Sequence, residues 1–168
     1  MSSIQIQYAE RADLPDIAAF LNQCWQAEYR QIVADDYLDT MSVEERCKRL
    51  LTWYNEGASE FLMMTDNNQL IGAGVFGESF TEGYEKDGEI SAIYLHKDYI
   101  GKGYGHRLLI QMEQALASKG YAYFVLSLLA GNTRAFLFYL AHGYEKVADD
   151  TIRLGKNDYP LFVLRKKV

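Results

Sequence analysis

The chain has 168 residues, of which 49% are hydrophobic and 14% are aromatic, and its formal net charge is −6. This length and composition predict one folded domain, residues 1–168, with a sizeable core, and they exclude a disordered chain. The negative charge argues against non-specific nucleic-acid binding, because no excess of cations offsets phosphate repulsion, and it is compatible with a cationic substrate.

The sequence carries no sign of membrane insertion or export, so we expect a soluble chain. Its N-terminus lacks a basic segment followed by a long apolar one, and its longest uncharged run, residues 120–133, is too short to span a bilayer. The two cysteines, Cys24 and Cys47, lie at helical spacing from apolar neighbours and are interpreted as buried hydrophobic side chains. Because no CxxC or Cys/His cluster occurs, we expect no metal site and a reducing, cytoplasmic location.

Hydrophobic periodicity and turn residues divide the chain into strands and helices. Asp13 is a predicted N-cap, residues 42–45 form a predicted capping box, and residues 66–68 predict a hairpin turn. Residues 31–40 show no strong period. The predicted elements are strand 3–8, helix 15–29, helix 42–57, strand 60–65, strand 69–76, strand 89–95, helix 106–120, strand 121–129, helix 135–142, strand 144–153 and strand 159–166. This order, β-α-α-β-β-β-α-β-α-β-β, predicts one α/β domain with helices on both faces of a mixed sheet.

The most informative stretch is residues 88–109, GEISAIYLHKDYIGKGYGHRLL. A strand leads into three alternating glycines, Gly101, Gly103 and Gly105, and a helix follows at once. Glycine takes positive φ easily, and the unpaired N–H groups of a helix's first turn attract anions. The spacing fits neither a P-loop nor a G-x-G-x-x-G dinucleotide fingerprint. The residues therefore predict an anion-binding turn of the phosphate or pyrophosphate kind, with a plain tight loop as the alternative.

This turn resembles motif A of the GNAT superfamily, the general-control-type N-acetyltransferases, written [QR]-x-x-G-x-[GA]. The matching residues are 100–105, Ile-Gly-Lys-Gly-Tyr-Gly, and the departure is Ile100, where the family usually has Arg or Gln. Residues 132–144 resemble motif B, N-x-x-A-x-x-x-Y-x-x-x-G-[FY]. The order of the elements also resembles that of the family from end to end. The resemblance implies a GNAT-type, mostly antiparallel mixed sheet.

The resemblance further implies an acetyl-CoA cofactor, with coenzyme A as the product, and it implies a role for each matching residue. Tyr139 corresponds to the tyrosine that protonates the leaving thiolate. Glu89 corresponds to a carboxylate that acts on the amine through water. The implied cofactor-binding residues are Ile93, Tyr94, Leu95, Gly101, Lys102, Gly103, Tyr104, Gly105, His106 and Asn132.

Each of these roles has a structural alternative. Tyr139 lies in an aromatic-rich helix and is also interpretable as a core residue, although its register in the motif favours the role at the thiol. Asn132 is also interpretable as a helix N-cap, which is compatible with a role at the cofactor. Glu89 is also interpretable as a solvated charge at a strand end. Along this extended strand, residues 89, 91, 93 and 95 share one face, and Glu89 lies upstream on the strand that delivers the cofactor site. No histidine has a partner pattern for catalysis.

The sequence therefore predicts an acetyl-CoA-dependent N-acetyltransferase that moves an acetyl group directly to a primary amine, without a metal or a covalent enzyme intermediate. Trp25, Tyr29, Tyr37 and the acidic residues 78–87 favour a small cationic amine such as a polyamine. The alternatives are a protein N-terminal or lysine acetyltransferase and a non-catalytic acyl-CoA sensor. Edge strands in the C-terminal tail are able to pair two subunits, which makes a homodimer the hypothesis for assembly.

Overall fold

The computed structural model describes residues 3–168, whose central feature is a seven-stranded sheet. The elements are β1 (Ile4–Tyr8), α1 (Leu14–Glu28), α2 (Asp35–Asp39), α3 (Val43–Glu56), β2 (Ser59–Asp66), β3 (Gln69–Glu78), β4 (Gly88–Leu95), α4 (Tyr104–Ser118), β5 (Tyr123–Leu129), α5 (Thr133–Ala141), β6 (Glu145–Leu154) and β7 (Asn157–Lys167). The strand order is β1-β2-β3-β4-β5-β7-β6, and every neighbouring pair is antiparallel except β4 and β5. The predicted mixed, mostly antiparallel sheet is confirmed.

Most element ends follow from local residues. The Ser42 hydroxyl accepts the Glu45 N–H at 3.1 Å at the start of α3, as the capping box predicts, and Gly57 ends this helix at φ +70°. Asn67 and Asn68 both have positive φ in the β2–β3 turn. The cap at Asp13 differs from the prediction, because its carboxylate accepts the Glu10 N–H of a short 3-10 turn and forms no cap on α1.

Residues 31–40, for which no element is predicted, contain the short helix α2. Its Leu38 is fully buried and packs with Tyr29 and Val33. Five residues are too few to show a helical period, so the sequence pattern cannot reveal this helix.

The helices cover both faces of the sheet, as predicted. On one face α4 packs through Leu108, Leu109 and Met112, and α5 packs through Tyr139. On the other face α1 and α3 pack against residues from β2 and β3. Among the described residues no helix is long and apolar enough to cross a membrane.

Strand β4 contains a bulge that changes which side chains share a face. Phe76 pairs with Ile90 and Val75 with Ala92, so Ser91 is the extra residue. Ile90 and Ile93 both face the α4 side as a result. Glu89, one residue before Ile90, therefore faces the opposite side. The expectation that residues 89 and 93 share a face is wrong, because the bulge interrupts the alternation.

Candidate active site

The sheet opens between β4 and β5. These parallel strands pair only at Gly88–Phe124 and Glu89–Val125, so the rest of β4 has no β5 partner. Two cavities occupy the opening. The glycine-turn cavity, about 400 Å³, lies beside residues 100–106, and the α3 cavity, about 280 Å³, lies beside α1 and α3. Both are lined by Glu28, Ile93, Tyr94, Ala135 and Tyr139, so they meet inside the opening.

The glycine turn keeps space open above the backbone. Gly101 and Gly103 have φ of +79° and +88°, and a Cβ built at either would meet no atom within 4 Å. Gly105 differs, since it lies within α4 and its Cβ would contact Phe138 at 3.5 Å. The ammonium of the exposed Lys102 lies 5.9 Å from the Tyr99 ring centroid. The turn can therefore accept a ligand close to its main chain.

The start of α4 supplies hydrogen-bond donors at this turn. The N–H groups of Tyr104, Gly105 and His106 bond no acceptor within residues 3–168, whereas the Arg107 N–H bonds the Gly103 carbonyl. These free donors coincide with the positive end of the helix dipole. An anionic group is the ligand that this geometry favours.

His106 lies at the rim of the same cavity and is oriented by a second histidine. His142 Nδ1 lies 2.7 Å from the Phe138 carbonyl oxygen, which can only accept, so this nitrogen carries a proton. The tautomer with its proton on Nδ1 leaves His142 Nε2 as the acceptor for His106 Nδ1, which lies 2.7 Å away. The pair holds the His106 ring against α5.

Tyr139 lies where the two cavities meet. Its side chain is buried, with the ring 5.1 Å from Phe138 and 5.5 Å from Tyr144 between centroids. Within residues 3–168 its hydroxyl has no hydrogen-bond partner. Burial above all, with Tyr29 and Glu28 nearby, raises the pKa of Tyr139 above its usual range. The hydroxyl therefore keeps its proton at neutral pH and is free to donate it.

Asn132 both caps a helix and lines a cavity. Its Oδ1 accepts the Ala135 N–H at 3.2 Å, which caps α5. Its Nδ2 donates to the Tyr29 hydroxyl at 3.2 Å and to Glu28 Oε1 at 3.3 Å. The side chain lines the α3 cavity and not the glycine-turn cavity.

Glu89 lies away from this cluster. Its Oε1 accepts hydrogen bonds from the Ser79 hydroxyl at 3.1 Å, the Phe80 N–H at 3.1 Å and the Thr81 hydroxyl at 2.7 Å. It is only 9% exposed and lines neither cavity. The structure thus gives this carboxylate the position of an anchor for the loop that precedes β4.

Glu28 lies at the end of α1 and lines both cavities, but no motif or spacing in the sequence singles it out. Arg134 donates to Glu28 Oε1 at 2.7 Å, across the opening between α5 and α1. No partner within residues 3–168 bonds Glu28 Oε2. Tyr29 beside it bonds the Tyr94 hydroxyl at 3.1 Å. A carboxylate with one free oxygen therefore lies at the throat of the site, by which we mean the place where the two cavities meet.

The α3 cavity has further polar lining that the sequence analysis did not identify. This lining is Arg46 and Arg49 of α3, which lie in the same wall as Trp25 and Tyr29, the two aromatic residues that the sequence does single out. The bulged Ser91 also lines it, with a buried hydroxyl that has no partner within residues 3–168. Tyr37, by contrast, lines neither cavity.

The free thiol of Cys24 lies close to the opening but is poorly suited to nucleophilic attack. It contacts the Leu95 carbonyl oxygen at 3.7 Å. Burial, and then the Glu28 carboxylate, raises the pKa of this thiol to about 12. At neutral pH Cys24 is therefore fully protonated. Within residues 3–168 no group of three or more His, Cys, Asp or Glu side chains is placed to hold a metal.

Comparison with known proteins places the chain in a family. The family model described as "Acetyltransferase (GNAT) family" matches residues 17–144. The uncharacterized N-acetyltransferase YuaI of Bacillus subtilis is 28% identical over 90% of this chain and 86% of its own. The spermidine N(1)-acetyltransferase of Thermoplasma acidophilum is 24% identical over 98% of both chains. The chain belongs to the GNAT acetyltransferase family.

The solved structures agree with this assignment at the level of the fold. The PaiA N-acetyltransferase of Thermoplasma acidophilum, in complex with coenzyme A, superimposes with a TM-score of 0.80 at 23% identity and covers 99% of both chains. A ribosomal-protein-alanine N-acetyltransferase of Brucella melitensis gives a TM-score of 0.75 at 20% identity, covering 98% of this chain and 99% of its own. The protein is thus an acetyltransferase, and acetyl-CoA is its acetyl donor.

The glycine-turn cavity fits that donor. The free N–H groups of residues 104–106 suit a pyrophosphate, and the space above Gly101 and Gly103 lets it approach the main chain. Residues Ile93–Leu95 lack a β5 partner, so their backbone is able to bond an amide-bearing arm as an added strand would.

We predict that Gly103→Ala weakens acetyl-CoA binding. The new methyl group points into the open space, and the left-handed φ costs roughly 1–2 kcal/mol. We expect the acetyl-CoA Kd, measured by calorimetry, to rise about tenfold or more, equal to ~1.4 kcal/mol. Gly57→Ala is the matched control, since Gly57 also has positive φ with nothing within 4 Å of a Cβ. Equal Kd values in the two variants would contradict a role for Gly103 at the cofactor.

Proposed function

We propose that the protein transfers an acetyl group directly from acetyl-CoA in the glycine-turn cavity to a primary amine in the α3 cavity. The observation that carries this proposal is the meeting of the two cavities at Tyr139 and Glu28. In the overall reaction a thioester C–S bond breaks, an amide C–N bond forms, the amine loses a proton and the sulfur gains one. Acetyl-CoA supplies the activated acetyl group.

In this proposal the main chain holds most of the cofactor. The amides of residues 101–106 bind its phosphates, with Lys102 and His106 at the rim, and Ile93–Leu95 align its arm along β4. Ile100 contributes no polar group there, so the backbone N–H groups supply most of the hydrogen bonds to the phosphates. Asn132 keeps the start of α5 in place and reaches the throat through Glu28 and Tyr29.

Tyr139 is the proposed general acid. Its unpartnered hydroxyl at the throat and its raised pKa support this role, since the proton is present whenever sulfur departs. Direct transfer is supported because no cysteine of residues 3–168 lines either cavity, and the nearby Cys24 is protonated at neutral pH.

For the amine, we propose Glu28 as the carboxylate that the acceptor meets. Glu28 lines both cavities and has a free Oε2, whereas Glu89 lines neither cavity and its Oε1 accepts hydrogen bonds from residues 79–81. Glu28 would attract the ammonium form and receive a hydrogen bond from the amine. The sequence-based assignment of Glu89 as the base stays a prediction, which a paired mutation can test.

The identity of the acceptor amine requires separate support. A polyamine has the support of the spermidine N(1)-acetyltransferase relative and of the net charge of −6. The two arginines in the lining of the α3 cavity favour a different small amine, one that carries a negative charge. The cytoplasmic location and the homodimer stay predictions, with β1 and β6 as the sheet edges available for pairing.

We predict that Tyr139→Phe lowers kcat by roughly 100-fold or more, because a positioned general acid contributes about 10²–10⁴. The acetyl-CoA Kd should not change, since the ring remains in place. Thiol release and calorimetry measure the two quantities. Wild-type kcat in the variant would leave Tyr139 a packing residue only.

The pH dependence of the reaction provides a second test of Tyr139. Alkylamines have a pKa of about 10, so kcat/KM should rise with a slope near +1 from neutral pH towards that value. Because burial raises the pKa of Tyr139, the acid form persists over this range and no falling limb should appear below about pH 10. A falling limb near pH 9 that Tyr139→Phe abolishes would show instead that this hydroxyl ionises early.

Glu28→Gln and Glu89→Gln should separate the two carboxylates. We expect Glu28→Gln to raise the KM for the amine about tenfold or more, through loss of a charge-assisted hydrogen bond worth roughly 1.5–3 kcal/mol. Glu89→Gln should lower the free energy of unfolding by about 1–3 kcal/mol and leave the KM unchanged. Steady-state kinetics and urea unfolding give both values. A large kcat loss confined to Glu89→Gln would restore Glu89 as the base.

A further inference from the structure

Two arginines on one face of α3 line the α3 cavity. Arg46 and Arg49 are three residues apart, so their side chains project from the same side of the helix. Neither forms an ion pair with a carboxylate within residues 3–168. Several other arginines do so: Arg30 with Asp35 and Asp39, Arg134 with Glu28, Arg153 with Asp158, and Arg165 with Asp87. The cavity wall thus carries two cations that no carboxylate of residues 3–168 neutralises in an ion pair.

Arg46 is held rigidly in this wall. Its Nε donates to Oδ1 of the buried Asn22, and its guanidinium carbon lies 5.9 Å from the Trp25 ring centroid. Burial first, and then the positive charge of Arg49, lower the pKa of Arg46. Its two Nη groups have no hydrogen-bond partner within residues 3–168. A partly buried cation in this state is stabilised by any anion that enters the cavity.

The charged lining of the α3 cavity therefore includes groups of both signs. Among the described residues it consists of Glu28, which lies at the throat, and the arginine pair on α3. Glu28 is already paired with Arg134, so the net charge around the cavity is positive. A polyamine would bring a second ammonium group towards this wall and would be repelled.

We propose that the acceptor is a small amino-acid-like compound, with a carboxylate bound by Arg46 and Arg49 and an amine directed to Glu28. This inference rests on the proposed function and names its substrate class. The guanidinium of Arg46 suits a carboxylate because its two Nη donors match two oxygens. The volume of about 280 Å³ suits a compact molecule, being just below the usual range of roughly 300–1,000 Å³ for ligand pockets. Acetylation converts the amine to an amide and leaves the carboxylate unchanged.

The unpartnered hydroxyl of Ser91 adds a polar contact for such a molecule. The bulge in β4 leaves this side chain in the cavity lining, where it can donate to or accept from the acceptor. The wall formed by Trp25 and Trp53 surrounds it with apolar surface. A lining that combines charges of both signs with apolar side chains is what an amino acid with an apolar side chain requires.

Matched pairs of amines test this inference. Thiol release from acetyl-CoA is measured with α-amino acids and their α-carboxamides, such as methionine and methioninamide, and with spermidine. The carboxamide has the less basic amine, so chemical reactivity alone would favour it. We expect the acid to have the higher kcat/KM by roughly tenfold or more, as one charge-assisted hydrogen bond supplies about 1.5–3 kcal/mol.

Variants then assign the preference to the arginines. Arg46→Gln and Arg49→Gln should each raise the KM for the acid, roughly 10- to 100-fold for Arg46, and leave the KM for the carboxamide and for acetyl-CoA unchanged. Lys48→Gln is the matched control, because it removes a cation from the same helix at a residue that does not line the cavity. Arg46→Lys retains the charge and should recover part of the affinity.

The possible failures are distinguishable. Faster turnover of spermidine or of carboxamides, unaffected by Arg46→Gln, would overturn this inference and leave the acetyltransferase proposal intact. Absence of thiol release with every amine, while acetyl-CoA binds, would overturn the proposed transfer reaction. The inference is then decided by calorimetry with coenzyme A bound: N-acetylmethionine should bind more tightly than N-acetylmethioninamide, and Arg46→Gln should remove the difference. Equal binding would overturn it.

Discussion

The separation of β4 from β5 is the constraint on which the rest of the site depends. A parallel pair that continued past Glu89 would satisfy the backbone of both strands and leave no opening through the sheet. Because the pairing stops there, the end of β4 presents free backbone groups on one edge. The same separation lets Tyr139 of α5 enter from one face, while Glu28 of α1 reaches the throat from the other.

The closed end of the opening is held by charged groups. Asp87, directly before β4, is buried and accepts two hydrogen bonds from Arg165 of β7, at 2.7 and 2.9 Å. Arg165 also lies 3.6 Å from the Tyr123 ring centroid at the start of β5. The contact therefore ties three strands together where β4 and β5 still pair. The strands are held together at this end and diverge at the other, which leaves the opening in the sheet.

The parts of this account that sequence predicts are the local ones. The glycine turn and the Ser42 cap depend on neighbouring residues, and the register of Tyr139 in its motif needs no tertiary contact. The bulge at Ser91 is set by pairing with β3, and it moves Glu89 to the other face. Glu28 and Arg46 become functional candidates only when α1 and α3 pack on the sheet beside the opening. Residues that are distant in sequence and are brought together by the packing of helices on the sheet show no characteristic spacing.

A bisubstrate compound would show directly whether the two cavities form one active site. A coenzyme A thioether that carries an amine through an acetyl-length linker would occupy both cavities at once if they meet at the throat. We expect this compound to bind more tightly than coenzyme A alone and to inhibit competitively against both acetyl-CoA and the acceptor amine. Binding no tighter than coenzyme A, with inhibition that is non-competitive against the amine, would mean that the two cavities do not form one site.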